Sequence, residues 1–354
     1  MQFTIRALAL TAVVALAACS TPETPATDTP TGAVSPSAAT ESTELTVVTH
    51  DSFTLPDDLK ARFAEETGYE VTYLAPGDAG ALVNQLVLTK DSPLGDVVFG
   101  IDNSFASRAN DEGILVDYPS PALPAASSQF DAPNLTPIDY GDVCINADTA
   151  WFEEKGLPLP TTFDDLAKPE YKDLLVVSDP ASSSPGLSFL VATIGAKGDG
   201  YLDYWRSLMD NGTKVVSGWS EAYYTDFSAG GADGPRPLVL SYSTSPAFTI
   251  GDDGESTTEA LLGTCFRQVE YAGVLAGADN EEGARALVDF LVGEQVQAAL
   301  PESMFVLPVD DTVEMPELWS RWVEPAPEPI EVPAADIARN RETWLREWSD
   351  VTAR

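Results

Sequence analysis

The chain of 354 residues is poor in basic side chains and in the histidine and cysteine that bind zinc. Lys and Arg total 19 against 56 Asp and Glu, the formal net charge is −37, and there are one histidine and three cysteines. Nucleic acid and anionic lipid are poor partners for such a chain, because phosphate contacts need clustered Lys and Arg. So few histidines and cysteines make no credible zinc site. We therefore expect no metal and no cofactor, and the acidity suits either a cationic ligand or solubility alone.

Catalytic motifs are also missing. His50 stands beside Asp51 and Ser52, but consecutive side chains of an extended segment point to opposite faces and cannot form a catalytic relay. The sequence has no G-x-S-x-G elbow, no H-E-x-x-H motif and no phosphate-binding P-loop. We predict that the protein is not an enzyme.

Only the N-terminus resembles a targeting segment. Residues 1–18 carry Arg6 ahead of an apolar run too short for a membrane span, which is typical of a secretory signal. The signal ends in Leu-Ala-Ala before Cys19, which resembles the lipobox of bacterial lipoproteins and predicts a lipid anchor at Cys19. The alternative is an ordinary signal peptide with an incidental cysteine. Residues 19–43, rich in Ser, Thr, Pro and Ala, are predicted to tether the body to the outer face of the membrane.

The body of about 310 residues exceeds the usual size of one core, so two lobes are expected. Strand-like apolar runs alternate with amphipathic segments, which is typical of an α/β fold with parallel sheets. The runs lie at residues 45–49, 71–75, 96–101, 174–179, 214–217 and 237–243. The 3-4 spacing of apolar residues in 281–300 predicts a helix. With chain crossings near Tyr140–Ile145 and Leu240–Thr244, lobe 1 is predicted at 44–140 and about 245–315, and lobe 2 at 141–244 and about 316–354.

Two cysteines remain beyond Cys19. In an exported protein an even pair more often forms a disulfide than stays as two thiols. Cys144 and Cys265 are therefore predicted to form a long-range disulfide.

Aromatic residues stand among polar ones in the stretch 215–227, where Trp219 and Tyr223 lie near serines, glycine and acids. Their rings either pack in the core or line a cleft for a flat cation. Tyr242 and Ser243, which follow a predicted strand, add a further ring and hydroxyl.

A serine run predicts the start of a helix. Ser184 and Pro185 have the signature of an N-cap and first helical residue, and Ser182, Ser183 and Gly186 flank them. Such a helix start favours an anion, or it is simply well capped.

Two carboxyls, Asp78 and Asp102, occur in predicted loops, and Asp102 directly follows a strand. Ligands of α/β sheets bind beyond the carboxyl ends of strands, although turn-forming or helix-capping roles would also explain these residues.

Several stretches in this order, among them "GDAGALVNQL", "DPASSSPGLSFL", "GWSEAY" and "VLSYSTSPA", resemble the thiamine-binding substrate-binding proteins of bacterial ABC importers. The resemblance extends from about Leu45 to the final "RETWLREW". It implies a type II periplasmic-binding-protein fold, in which two α/β lobes joined by a hinge close on thiamine or its phosphates. It further implies a monomer that delivers the ligand to a permease.

The resemblance also implies roles for individual residues. Trp219, Tyr223 and Tyr242 would form aromatic walls, and Asp78 and Asp102 would face the amino or cationic groups. The hydroxyethyl group or its phosphate would lie against Ser182, Ser183, Ser184 and Gly186. His50 stands where the family often has tyrosine, and Phe305 is the aromatic residue nearest to a position where the family has tryptophan; both join the predicted site with Ser243.

Three rival interpretations remain. A ferric-ion-binding protein of the same fold would use Tyr223 and Tyr224, with His50 as a further ligand. An exported enzyme lacks a nucleophile-base pair, and a surface adhesin leaves the ordered ligand motifs unexplained.

Overall fold

The computed structural model describes residues 43–353. The predicted signal sequence, the Cys19 anchor and almost all of the tether lie outside the described residues. None of the helices between residues 43 and 353 combines the length and apolar character of a membrane-spanning helix.

The described part contains ten strands and twelve α-helices, which alternate through most of its length. The strands are β1 Glu44–Val48, β2 Glu70–Leu74, β3 Val97–Asp102, β4 Thr136–Asp148, β5 Leu175–Ser178, β6 Lys214–Val216, β7 Leu238–Tyr242, β8 Thr258–Ala260, β9 Phe266–Val274 and β10 Leu307–Pro308. The helices are α1 Asp57–Thr67, α2 Ala79–Leu88, α3 Ala106–Asp111, α4 Thr149–Lys155, α5 Phe163–Leu166, α6 Ser184–Lys197, α7 Tyr201–Asp210, α8 Trp219–Glu221, α9 Glu281–Leu291, α10 Glu294–Met304, α11 Glu317–Trp322 and α12 Ala334–Thr352.

All ten strands belong to one mixed sheet. Eight follow the order β2-β1-β3-β9-β4-β7-β5-β6, and β8 and β10 both pair with β4. The outer pairs β1–β2, β1–β3, β5–β6 and β5–β7 are parallel. In the middle, β9 and β4 pair antiparallel with each other and with β3 and β7. The α/β class is confirmed, but the expectation of purely parallel sheets is wrong at the centre.

The six strand-like runs correspond to β1, β2, β3, β5, β6 and β7. The two central strands, β4 and β9, were not predicted because buried polar residues interrupt their apolar pattern, such as Asp139 and Asp142 in β4 and Glu270 in β9. The helix predicted at 281–300 is two helices, because the chain leaves the helical path at Val292 and Gly293.

The core consists mainly of two clusters. One packs α1, α9 and α10 against β1 and β3, and the larger one includes α6, α7 and α12. At the centre of the larger cluster, Trp205 meets Phe189 and Trp348 edge-on at ring distances of 5.6 and 5.5 Å. Its indole N–H donates to Thr193 Oγ1 at 2.9 Å. These contacts fix the C-terminal helix on α6 and α7.

The predicted disulfide is confirmed, since Cys144 of β4 and Cys265, just before β9, are bonded across 121 residues of sequence. The described residues of the body cluster as one compact unit. The predicted lobe boundaries therefore stay a prediction.

Candidate ligand-binding cleft

A cleft of about 370 Å³ lies beyond the carboxyl ends of β1, β2, β5, β6 and β7. The segment that follows each strand contributes to the wall, as expected for ligand sites on α/β sheets. β9 and the end of α10 complete it. Its lining comprises His50, Asp51, Ser52, Thr54, Asp78, Ala79, Ser184, Pro185, Trp219, Ser220, Tyr223, Tyr224, Tyr242, Ser245, Phe248, Glu270, Ser303, Met304, Phe305 and Val306.

Aromatic rings form one wall. Trp219 lies parallel to Tyr223, with ring centroids 5.0 Å apart and planes 20° from parallel. Tyr224 and Tyr242 meet the indole edge-on at 5.4 and 6.4 Å. The Trp219 indole N–H donates to Ser241 Oγ at 2.9 Å, which fixes the ring in the wall. The structure thus brings the three predicted rings together in the cleft and adds Tyr224.

A π-helical turn at Ala222–Asp226 positions Tyr223 and Tyr224. Its last residue, Asp226, forms an ion pair with Lys214 of β6, with 2.6 Å between Nζ and Oδ1. Burial raises the pKa of Tyr223 to about 12 and also raises the pKa of Tyr224. Both phenols are therefore neutral at pH 7.

Asp78 is the N-cap of α2 and also joins two other segments. One carboxylate oxygen accepts from the Ala79 N–H at 2.6 Å and the Ser184 N–H at 3.3 Å. The other accepts from the Trp219 N–H at 2.9 Å. Burial raises the pKa of Asp78, and these bonds oppose the shift because they stabilise the carboxylate. Asp78 lines the cleft and ties the starts of three helices together.

Asp102 lies one layer behind the cleft. It is fully buried and accepts hydrogen bonds from the Ser184 hydroxyl and from the N–H groups of Ser104 and Phe105, the latter two at 2.8 and 2.9 Å. Burial raises its pKa to about 6, against the opposing effect of these bonds. The prediction that Asp102 faces the ligand needs correction, since Asp102 is not among the lining residues and its carboxyl instead accepts from Ser184, which is one of them.

The serine run forms the start of α6, but one residue earlier than predicted. Ser183, not Ser184, is the N-cap, and its hydroxyl accepts from the Gly186 N–H at 3.3 Å. The Ser184 N–H donates to Asp78, and Pro185 has no N–H. The first turn of α6 therefore offers no unused donor to an anion, contrary to the expected phosphate contact.

Besides Asp102, four predicted contacts lie outside the cleft lining. Ser182 donates to the Ser217 carbonyl at 2.6 Å, and Ser183 is fully buried at the helix cap. Gly186 does not leave room for a ligand, because a Cβ there would lie 2.6 Å from the Ser178 carbonyl oxygen. Ser243 is buried behind β7, where its N–H donates to the Asp142 carbonyl at 2.8 Å.

His50 and Phe305 both line the cleft. Burial lowers the pKa of His50 to about 4, so the imidazole is neutral at pH 7. Its Nδ1 lies 2.9 Å from the Ser52 hydroxyl. Phe305 ends α10 in a left-handed conformation, with φ of 65°, and its carbonyl accepts from the Thr244 hydroxyl at 2.6 Å.

The sequence interpretation missed Glu270, whose carboxyl lies 3.5 Å from His50 Nε2. The available signal was a single acid inside the apolar run "VEYAGVL". It also missed Ser245 and Phe248, which lie in the segment after β7 and line the cleft together with the predicted Tyr242.

The charge of the cleft has one sign. Asp51, Asp78 and Glu270 are acidic, and no Lys or Arg occurs among the described residues that line the cleft. Carboxyls beside electron-rich rings attract a cation, above all a flat one that can stack. The stacking of Tyr223 on Trp219 favours such a ligand over a bare ferric ion.

The mixed sheet, and a cleft beyond the ends of its strands, are the arrangement expected of a protein that binds a small ligand. The chain belongs to the bacterial extracellular solute-binding proteins, whose family model matches residues 92–326. It is similar to the thiamine-binding periplasmic proteins of Brucella melitensis, at 28% identity over 90% of this chain and 94% of the relative, and of Escherichia coli, at 29% over 88% and 94%.

Solved structures agree. A periplasmic thiamin binding protein superimposes with a TM-score of 0.78 at 28% identity, covering 88% of this chain and 96% of that chain. An apo ferric ion-binding protein of Pasteurella haemolytica has a TM-score of 0.67 at 19% identity, covering 88% and 98%, and shares the fold. The predicted type II periplasmic-binding-protein fold and the resemblance to thiamine-binding proteins are confirmed.

Proposed function

We propose that this protein captures thiamine outside the cytoplasm and delivers it to the permease of an ABC importer. The observation that carries the proposal is the cleft itself, in which the Trp219 wall stands with carboxyls and with no lysine or arginine among the described lining residues. Thiamine has a permanently charged thiazolium and a flat aminopyrimidine. Such a ligand gains stacking, cation–π attraction and carboxylate contacts in one site.

Within this proposal, thiamine binds more tightly than its mono- or diphosphate. A phosphate would enter a cleft lined by Asp51, Asp78 and Glu270, and the first turn of α6 has no unused N–H to receive it. Like-charge repulsion inside a partly desolvated cleft costs more than it does in water.

The proposal includes the N-terminal anchor. Acylation of Cys19 would hold the protein on the outer face of the membrane, where a tether ending at residue 43 lets the body reach the permease. The proposed protein is a monomer. It binds its ligand without transforming it, a role supported by the names of its relatives as binding proteins.

Titration calorimetry with thiamine tests the proposal on Trp219 variants. Trp219→Ala removes a stacking surface and a cation–π partner, together worth about 1–3 kcal/mol, so Kd should rise about tenfold or more. Trp219→Phe keeps an aromatic ring and should raise Kd by a smaller factor. Trp344→Phe on α12, a half-buried tryptophan outside the cleft lining, is the matched control and should bind like the parent.

Two results would contradict the proposal. Parental affinity in a correctly folded Trp219→Ala variant would remove the ring from the site. Visible charge-transfer absorption on addition of ferric salt, lost in Tyr223→Phe and Tyr224→Phe, would instead establish the iron-binding alternative.

A further inference from the structure

Two buried carboxyls face each other at the floor of the cleft. Asp139 of β4 and Glu270 of β9 are opposite each other in the antiparallel register, so their side chains lie on the same face of the sheet. Glu270 lines the cleft, and Asp139 is fully buried behind it. Both carboxyl oxygens of Asp139 are buried, and no other residue among those described donates a hydrogen bond to them.

The surroundings of this pair contain no compensating cation. Among the described residues, neither carboxyl lies within ion-pair distance of a lysine or arginine, and His50, at 3.5 Å from Glu270, is neutral at pH 7. The other titratable groups that face Glu270 are acidic or phenolic, namely Asp78 at the start of α2, Asp102 at the end of β3 and Tyr242 of β7.

We propose that Asp139 and Glu270 share one proton in the empty protein and that this proton leaves for solvent when a cation enters the cleft beside Glu270. The inference rests on the proposed function, because thiamine supplies the cation. The charge balance is simple: the pair changes from one negative charge to two, and the ligand adds one positive charge. Glu270 thereby becomes a determinant of selectivity for cations.

Physical chemistry supports the shared proton. Two adjacent carboxyls out of contact with water do not both ionise, since each desolvated charge repels the other. Burial raises the pKa of Asp139, and burial together with the charge of Asp139 raises the pKa of Glu270. A cation in the cleft beside Glu270 lowers both pKa values. Thiamine affinity should therefore rise with pH, because hydroxide removes the proton that the ligand must otherwise displace.

Calorimetry at pH 7.5, in two buffers of different ionisation enthalpy, measures the proton directly. At this pH Asp102, with a pKa of about 6, has already lost its own proton. The parent protein should release a substantial fraction of one proton per thiamine bound. Its Kd should fall between pH 6 and pH 8, with a limit of about tenfold per pH unit for one released proton.

Two variants separate this inference from a structural role. Glu270→Gln should release no proton and bind thiamine several-fold more weakly. Asp139→Asn removes the neighbouring charge but not the burial of Glu270, so Glu270 should hold its proton less firmly; proton release at pH 7.5 should be smaller than in the parent, and thiamine should bind more tightly. Glu259→Gln, an exposed acid of β8, is the matched control and should behave like the parent.

A ligand-free measurement keeps this inference distinct from the proposed function. Infrared spectroscopy of the empty parent protein at pH 7.5 should show a protonated-carboxyl band that shifts in Glu270→Gln and in Asp139→Asn and is lost in the double variant. If thiamine fails to bind but the band is present, the choice of ligand is wrong and the shared proton stands. Absence of the band, or thiamine binding without proton release, would overturn the inference.

Discussion

At the scale of single residues, Asp78 is the acid whose contacts are most informative. Its two oxygens accept three backbone N–H groups from the starts of α2, α6 and α8. A carboxylate is needed because both oxygens must accept. Asparagine has one acceptor oxygen, and its amide group would meet the Trp219 N–H donor to donor.

We therefore predict that Asp78→Asn weakens thiamine binding by about 1–3 kcal/mol, through loss of a charged acceptor and displacement of Trp219. Calorimetry measures the change. The control is Asp148→Asn, because Asp148 caps α4 in the same way, with 2.9 Å to the Trp151 N–H, but lies outside the cleft lining. Equal losses of affinity in both variants would show that Asp78 acts only as a helix cap.

Residue-level prediction from the sequence succeeded where chemistry is local. A tryptophan beside serine and glycine after a strand indicates a ring near a cleft, and Trp219 lines one. Whether the N–H groups at a helix start are free to bind a ligand is not a local property, because a carboxyl from a distant part of the sequence can accept them. The Ser184 N–H is used by Asp78, which is 106 residues earlier in the sequence, so the sequence could not exclude an anion site there.

At the scale of elements, the start of α2 packs directly on the loop before α6. The Ala81 N–H donates to the Ser182 carbonyl at 2.9 Å, and Asn84 donates from its side chain to the Ala181 carbonyl at 3.2 Å. Gly80 allows this approach, since a Cβ there would lie 2.6 Å from the carbonyl carbon of Ser182.

Gly80→Ala should separate these two elements. Alanine gains about 1 kcal/mol of helix propensity, but overpacking against backbone atoms costs about 1–3 kcal/mol and cannot be relieved by a side-chain rotation. We expect weaker thiamine binding and a lower free energy of unfolding, measured by calorimetry and urea titration. Gly200→Ala, where a Cβ meets open space, should change the free energy of unfolding by less than about 0.5 kcal/mol. A Gly80→Ala variant with parental affinity would show that the contact between α2 and the loop before α6 accommodates an added methyl group.

Strands were not predicted where buried positions carry polar side chains. β5 and β7 have continuous apolar runs and were predicted, whereas β4 and β9 place Asp139 and Glu270 inside the sheet. Glu270 lines the cleft, so one of the polar residues that interrupt the apolar pattern of these strands belongs to the candidate site.

At the scale of the whole molecule, the Cys144–Cys265 disulfide joins β4 to the start of β9 at the centre of the sheet. Replacing both cysteines by alanine should lower the free energy of unfolding by about 2–5 kcal/mol, measured by urea titration, because the unfolded chain regains its freedom. Thiamine affinity should be unchanged, since neither cysteine lines the cleft. A reductant should destabilise the parent and leave the double variant unaffected; equal midpoints in all four samples would contradict this prediction.

The acidic cleft lies in a chain whose formal net charge is −37. A cation approaching from solvent is attracted well before it touches Trp219, and the attraction extends over roughly one Debye length, about 10 Å at 0.1 M salt. Stopped-flow fluorescence should therefore show an association rate constant that falls as sodium chloride is added. The dissociation rate constant, which depends on contacts already formed inside the cleft, should change much less. Under the proposed function, the carboxyls that bind thiamine would also raise its concentration near the cleft, which matters most where thiamine is dilute.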